Sequence, residues 1–254
     1  MVALLQFSDW QRHLPFGIGD FGSSRSLSKA FKCVNKEYKT TILSRDPLLI
    51  YIHGFISTEE SELLLKLGEP KFEPSRLGQN ERNASVRSST SATLLRNEPV
   101  VDCIAARALE FQGSAMEGVL DGLQLVRYTE SQQYNAHFDW YRGEGNHDPE
   151  GRRYNRLTSF FVIVEATTDL DGGETHFPEV IQSPGLLPET AMDSIMSSQR
   201  EEYPGLRVKP VVGNAIFWIN LHPNGTGDER TLHAGLPVNR GRKTAMNIWP
   251  RVYF

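Results

Sequence analysis

Gln133-Tyr134-Asn135-Ala136-His137-Phe138-Asp139-Trp140-Tyr141 carries a His-x-Asp pair at its centre. On an extended strand, residues two apart point to the same face. The imidazole of His137 and the carboxylate of Asp139 then reach one point from one strand. The pair is two thirds of a 2-His-1-carboxylate triad, the arrangement that holds non-haem Fe(II). A third ligand must come from elsewhere in the chain.

Around this stretch the sequence breaks into short strands. Leu123–Tyr128 alternates, Thr158–Glu165 is nearly continuous apolar, and Glu174–Phe177 follows an Asp171-Gly-Gly turn. Ala215–Leu221, Thr231–Ala234 and Thr244–Trp249 complete the set. Short strands separated by Gly, Pro and Asn turns, with almost no helix between them, predict a double-sheet barrel. The expected class is mainly β with flanking helices around a double-stranded β-helix (jelly roll) core.

The helices belong to the first half. Pro47–His53 reads as a strand. Ser57-Thr-Glu-Glu60 is a capping box opening a helix with Leu63, Leu64 and Leu67 on its apolar stripe, ended by Gly68. A second helix runs from Pro99 to about Gln112, with Val100, Ile104, Ala108 and Phe111 on one face. Between them, residues 70–95 are polar and read as a functional or flexible loop. Residues 1–45 lack a clean period and are expected to be an N-terminal extension, with the domain spanning 46–254. Gly17-Ile-Gly19-Asp-Phe-Gly22 matches G-x-G-x-x-G, but neither flank supplies the strand and helix a dinucleotide site needs, so it reads as a loop. Residues 178–209 are expected to be an insertion between strands, with a helix from Glu189 to about Glu202. It is either a surface elaboration or a lid over substrate.

The net charge is −4 with a sequence pI near 6.0, which excludes the basic footprint of a nucleic-acid binder. No window approaches the roughly 18 apolar residues of a membrane span. The first residues lack the basic and apolar regions of a leader peptide, so the expectation is a cytoplasmic protein. Cys33 and Cys103 stand in no metal-binding spacing and read as unpaired. Asn83-Ala-Ser85 and Asn224-Gly-Thr226 match glycosylation sequons, read without a leader as chance. Oligomeric state has no signal in the sequence.

For the third ligand, His233 fits best, in a short strand followed by a turn. His222, beside Pro223-Asn-Gly, and His176, on the Glu174–Phe177 strand, are rivals. Lys243 lies ten positions beyond His233. It either points into the barrel, where it needs an anionic partner, or belongs to the exposed turn Asn239-Arg-Gly-Arg-Lys.

From about Pro47 to Trp249 the chain resembles the catalytic domain of the prolyl 4-hydroxylase alpha-subunit family of Fe(II)/2-oxoglutarate dioxygenases. Leu123-Gln-Leu-Val-Arg-Tyr128, Gln133-Tyr134-x-x-His137-x-Asp139 and Asp171-Gly-Gly-Glu-Thr-x-Phe-Pro178 occur in family order. Gly213-Asn-Ala-Ile-Phe-Trp, Asn220-Leu-x-Pro-Asn-Gly225, Arg230-x-Leu-His233-Ala-Gly-x-Pro-Val, Lys243 and Trp249 follow. The resemblance implies that His137, Asp139 and His233 are the catalytic Fe(II) ligands. It implies that Lys243 pairs with the distal carboxylate of 2-oxoglutarate, and that Tyr128 and Ser159 line the co-substrate pocket. Arg87 and Ser88 match the loop that closes over substrate. Ile163-Val-Glu165 departs from the Tyr-Leu-Asn run of relatives, which leaves the substrate open.

The implied reaction takes O2 and 2-oxoglutarate to succinate while a C–H bond is hydroxylated, with ascorbate a further candidate cofactor. The target is a prolyl residue or a small metabolite. The same iron chemistry also serves desaturation, epoxidation or ring closure. A non-catalytic jelly-roll binding protein is the reading from another class. It needs a degraded triad, and this triad is complete.

Overall fold

A computed structural model describes residues 31–34, 36–75, 88–113, 119–120, 122–181, 194–197 and 203–254. The Gly17–Gly22 motif, the Asn83 sequon, Arg87 and most of the expected Glu189–Glu202 helix lie outside the described residues.

Strands β1 (Lys39–Arg45) and β2 (Leu48–His53) form an antiparallel pair. Helix α1 (Thr58–Gly68) follows, with the capping box formed as expected: Ser57 Oγ accepts from the Glu60 amide, and Glu60 accepts from the Ser57 amide. Strands β3 (Glu73–Pro74) and β4 (Thr90–Leu94) lie within the two ends of the 70–95 region, which is therefore not loop throughout, and helix α2 (Pro99–Gln112) has the expected bounds. The strand-rich half then runs β5 (Leu123–Thr129), β6 (Tyr134–His137), β7 (Asn146–His147), β8 (Arg153–Arg156) and β9 (Thr158–Ala166). It continues through β10 (Asp171–Gly172), β11 (Thr175–Phe177), β12 (Leu206–Val208) and β13 (Ala215–Ile219). The last four are β14 (His233–Gly235), β15 (Val238–Arg240), β16 (Arg242–Ile248) and β17 (Arg251–Tyr253).

Among the described residues, an eight-stranded sheet has the order β1-β2-β13-β9-β16-β5-β4-β3, and a four-stranded sheet has the order β12-β11-β14-β6. The central strands of the larger sheet alternate between two buried faces. Ile216 and Trp218 join Leu43, Leu49, Phe177, Leu206 and Val208 in the core between the sheets. Phe217 points the other way and packs with its register partner Phe160 and with Phe111 of α2. A strand covered on both faces reads as a continuous apolar run, which is why β9 and β13 show no clean alternation.

Three further expectations are corrected. Residues 39–45 are not irregular: they form the edge strand β1. Ile42 is exposed while Ser44 is buried, and a bulge between them shifts the alternation, which erases the period-two signal. The described end of the 178–209 segment is not a surface elaboration, since Ile195 and Met196 are buried in the core cluster and Leu206–Val208 completes the smaller sheet.

The third correction concerns the cysteines, which are joined. Cys33 and Cys103 form a disulfide, with Cα atoms 5.6 Å apart and 70 residues between them in sequence. Spacing in the chain carries no record of a contact made only when α2 packs against the segment before β1. Arg107 of α2 reinforces that contact. Buried, it donates to Glu60 Oε1 (2.6 Å) and Oε2 (3.0 Å), to Phe55 O (2.9 Å) and to Val34 O (3.4 Å). No described helix is long and apolar enough to cross a membrane.

Candidate metal centre

Strands β6 and β14 pair antiparallel with His137 and His233 as register partners, and the two ring centroids are 4.3 Å apart. Asp139 continues the His137 face just past the end of β6. One ligand atom from each of the three residues falls within 4.8 Å of the others. His137 Nε2 lies 3.8 Å from Asp139 Oδ1, and His233 Nε2 lies 3.8 Å from Asp139 Oδ2.

Each histidine is oriented by a backbone carbonyl two residues earlier. His137 Nδ1 donates to Asn135 O and His233 Nδ1 to Thr231 O, both at 2.9 Å. With Nδ1 carrying the proton, both Nε2 lone pairs face the centre. Thr231 is fixed in turn by a 3-10 turn, Glu229–Thr231, capped by the Asp228 carboxylate. Arg230 ties Asp228 (2.7 Å) to Asp46 (2.8 Å). Tyr134 stacks on the His137 ring at 3.6 Å.

The rival histidines point elsewhere. Thr175 and Phe177 share one face of β11, so His176 faces the other, where its Nε2 donates to Pro204 O at 2.7 Å. His222 is partly exposed and sits 3.9 Å from Asp228.

Asp139 is buried. Burial pushes its carboxyl up, but the His233 and His137 rings, Arg156 and the Ser159 hydroxyl outweigh it and hold the group below the usual carboxylate range. Ser159 Oγ donates to Asp139 Oδ2 at 2.7 Å and accepts from Asn220 Nδ2 at 2.8 Å, while Asn220 Oδ1 accepts from Trp218 Nε1 at 2.8 Å. The Arg156 guanidinium donates to Asp139 O (3.2 Å) and stacks over Trp249 (3.6 Å to the ring centroid). Trp140 presses on Gly227, where a Cβ would collide with the indole ring.

Lys243 points inward, not into the turn. It is 1% exposed, and its Nζ donates to Gly173 O at 2.5 Å. Its register partner Tyr128 places a ring 5.0 Å from Nζ, and Phe161 another at 5.6 Å. Burial pushes the ammonium down to about 8, opposed by Glu174. No carboxylate among the described residues lies within ion-pair distance of it. Two imidazoles and a carboxylate suit a divalent transition metal with open positions. A buried ammonium facing one neutral oxygen suits an anionic ligand.

Ser159 is found at the metal end. It stands seven positions before Ala166, a register partner of Lys243, roughly 20 Å of extended strand. Ser88 is tied to the opening stretch, with Gln133 N donating to its Oγ at 3.1 Å. Sequence reasoning gave no role to Asn220 or Trp218. The signal was present: a lone amide ending the apolar run Ala215–Ile219 must find partners once buried.

A family model described as the 2OG-Fe(II) oxygenase superfamily matches residues 123–251. Probable prolyl 4-hydroxylase 7 of Arabidopsis thaliana is 30% identical over 219 residues, covering 84% of this chain and 66% of that protein. Probable prolyl 4-hydroxylase 6 of the same plant is 30% identical over 221 residues, covering 84% of this chain and 72% of that protein. Among solved structures, the viral collagen prolyl hydroxylase of Paramecium Bursaria Chlorella virus-1, in its 2OG complex, is 25% identical with a TM-score of 0.57. That match covers 80% of this chain and 96% of the viral one. With the matched region spanning both ends of the triad, the chain belongs to the 2OG-Fe(II) oxygenase superfamily.

Proposed function

We propose that this chain hydroxylates a prolyl residue within a polypeptide, with His137, Asp139 and His233 holding Fe(II) and Lys243 anchoring 2-oxoglutarate. The observation that carries the reading is the convergence of the three ligand atoms in a barrel that also buries an ammonium with no anionic partner among the described residues. Bound Fe(II) supplies the redox chemistry that couples decarboxylation of 2-oxoglutarate by O2 to hydroxylation of a C–H bond, with succinate, CO2 and the alcohol as products.

The protein's part is binding, orientation and exclusion of water. The two backbone-locked imidazoles and Asp139 would hold the metal with three donors and leave it open positions. Lys243 meets the distal carboxylate as a point charge from a dry pocket, with Tyr128 lining its approach. Ser159 serves Asp139 in place of a direct co-substrate contact. The relatives are named as prolyl 4-hydroxylases, and the structural neighbour as a collagen prolyl hydroxylase, which supports a peptidyl target over a small metabolite. The net charge of −4 supports a partner other than nucleic acid. The Cys33–Cys103 disulfide supports an oxidising compartment over the cytoplasm.

The test is succinate release from 2-oxoglutarate in the presence of proline-rich peptides, free proline and small metabolites, with mass spectrometry of the acceptor. The expected result is peptide-dependent succinate and a gain of one oxygen on proline, both absent in His137→Ala. Succinate driven only by free metabolites overturns the peptidyl target.

A further inference from the structure

The hydrogen bonds behind Asp139 have only one permitted direction. An indole Nε1 can donate and cannot accept. The Asn220 atom 2.8 Å from Trp218 Nε1 is therefore its oxygen, which fixes the orientation of the amide and leaves Nδ2 as the donor to Ser159 Oγ. With its lone pair taken up by that amide, the Ser159 hydroxyl directs its proton to Asp139 Oδ2, 2.7 Å away. Trp218, Asn220 and Ser159 are at most 1% exposed, so solvent does not compete.

The backbone under the chain of bonds is equally fixed. Ser159 and Trp218 are register partners on the barrel face of β9 and β13. The Asn220 amide donates to Leu157 O, and its carbonyl accepts from Asp228 N, both at 2.8 Å.

We propose that Trp218, Asn220 and Ser159 form a one-way relay that sets the Asp139 carboxylate for the metal, making Ser159 and Asn220 positioning residues; this rests on the metal-site reading above. The relay occupies Oδ2 from behind, so Oδ1 keeps its lone pairs for the cation. It also fixes the carboxylate plane before any metal arrives. Second-layer partners of this kind tune affinity without touching the ion.

Mn(II) binding by the full chain, followed by loss of the free-ion paramagnetic resonance signal, tests the relay. Thermal unfolding of each metal-free variant runs beside it. Ser159→Ala is expected to raise the Mn(II) Kd about 10–100-fold, the usual cost of a lost second-layer partner. Ser159→Thr keeps the hydroxyl and is expected to stay within about threefold of the parent. Asn220→Asp is the sharper variant: a carboxylate there draws the Ser159 proton away from Asp139, so affinity falls although Ser159 is intact. If Asn220→Asp fails to fold, the Ser159 pair decides. A Ser159→Ala protein with lowered unfolding temperature but an unchanged Kd overturns the relay. A parent protein that binds Mn(II) no better than His137→Ala overturns the metal site itself.

Discussion

His137 and His233 are register partners across β6 and β14, and each is turned by a hydrogen bond to the carbonyl two residues before it. Two candidate ligands 96 positions apart in the chain are thus oriented by the same local device on facing strands. Replacing either by alanine removes one of only two imidazoles. His233→Ala is expected to abolish the weak visible band of anaerobic Fe(II) with 2-oxoglutarate and to lower succinate formation at least 100-fold, on the order of an essential catalytic group. Chelation of the parent should do the same, and added Fe(II) should restore it.

Lys243 gives a prediction with a sign. Its ammonium is pushed down to about 8 by burial, against an ordinary lysine value of about 10.4 in the unfolded chain. Between those values the unfolded chain holds the proton and the folded one does not, so stability of the ligand-free protein rises with pH across that window. In its proposed role, Lys243 would regain the charge on binding a 2-oxoglutarate carboxylate. Affinity should therefore fall about tenfold per pH unit above about 8, with proton uptake on binding. Calorimetry in buffers of different ionisation enthalpy reads both. Lys243→Ala should remove the pH dependence and most of the affinity while Fe(II) binding persists.

Reduction of Cys33–Cys103 should destabilise the fold without touching the metal site. Closing a loop of this length restricts the unfolded chain by about 4 kcal/mol in the chain-entropy description. For a domain of this size that is a drop of roughly 10 °C in unfolding temperature. Thermal scans with and without reductant check it, and thiol titration of the oxidised protein should find neither cysteine free. Mn(II) affinity should be unchanged.

The Glu60–Arg107 pair is buried, with the guanidinium shared among Glu60, Phe55 O and Val34 O. Burial pushes Glu60 up, but hydrogen bonds from Arg107 and the Ser57 amide, with the charges of Arg107 and Lys36, hold it below the usual range. A depressed carboxyl stabilises the fold above its unfolded value, and that stability is lost as pH falls through the folded one. Arg107→Met removes the buried partner of the carboxylate, leaving it Lys36 and the Ser57 amide, and should cost roughly 3 kcal/mol at neutral pH, read by denaturant unfolding. The loss should shrink toward acid pH, where Glu60 is neutral in both proteins.

Much of this architecture was legible in the sequence because the local rules were obeyed. The Ser57 capping box, α2 from Pro99 to Gln112 and the buried run of β9 each form where the pattern places them. The His-x-Asp pair was legible because a strand's period of two is local. Edge strand β1 was not, since a bulge breaks its alternation. Neither was the disulfide, because spacing says nothing of what α2 meets after folding. Lys243 was open between turn and interior until pairing with Tyr128 on β5 set its face. Asn220 escaped because its role exists only through Ser159 and Trp218, 61 and two residues away.

The contact between Trp140 and Gly227 has a consequence for how the protein meets its metal. Trp140 follows Asp139 directly, and Gly227 opens the short segment leading to His233. Where the indole lies flat against a residue with no side chain, packing adds to the β6–β14 pairing in holding the two arms of the triad at a set separation. The centre is then a socket whose shape does not depend on what fills it. Removal and return of the metal are therefore expected to leave the unfolding transition in place, unlike the structural zinc of a small domain, whose removal takes the fold with it.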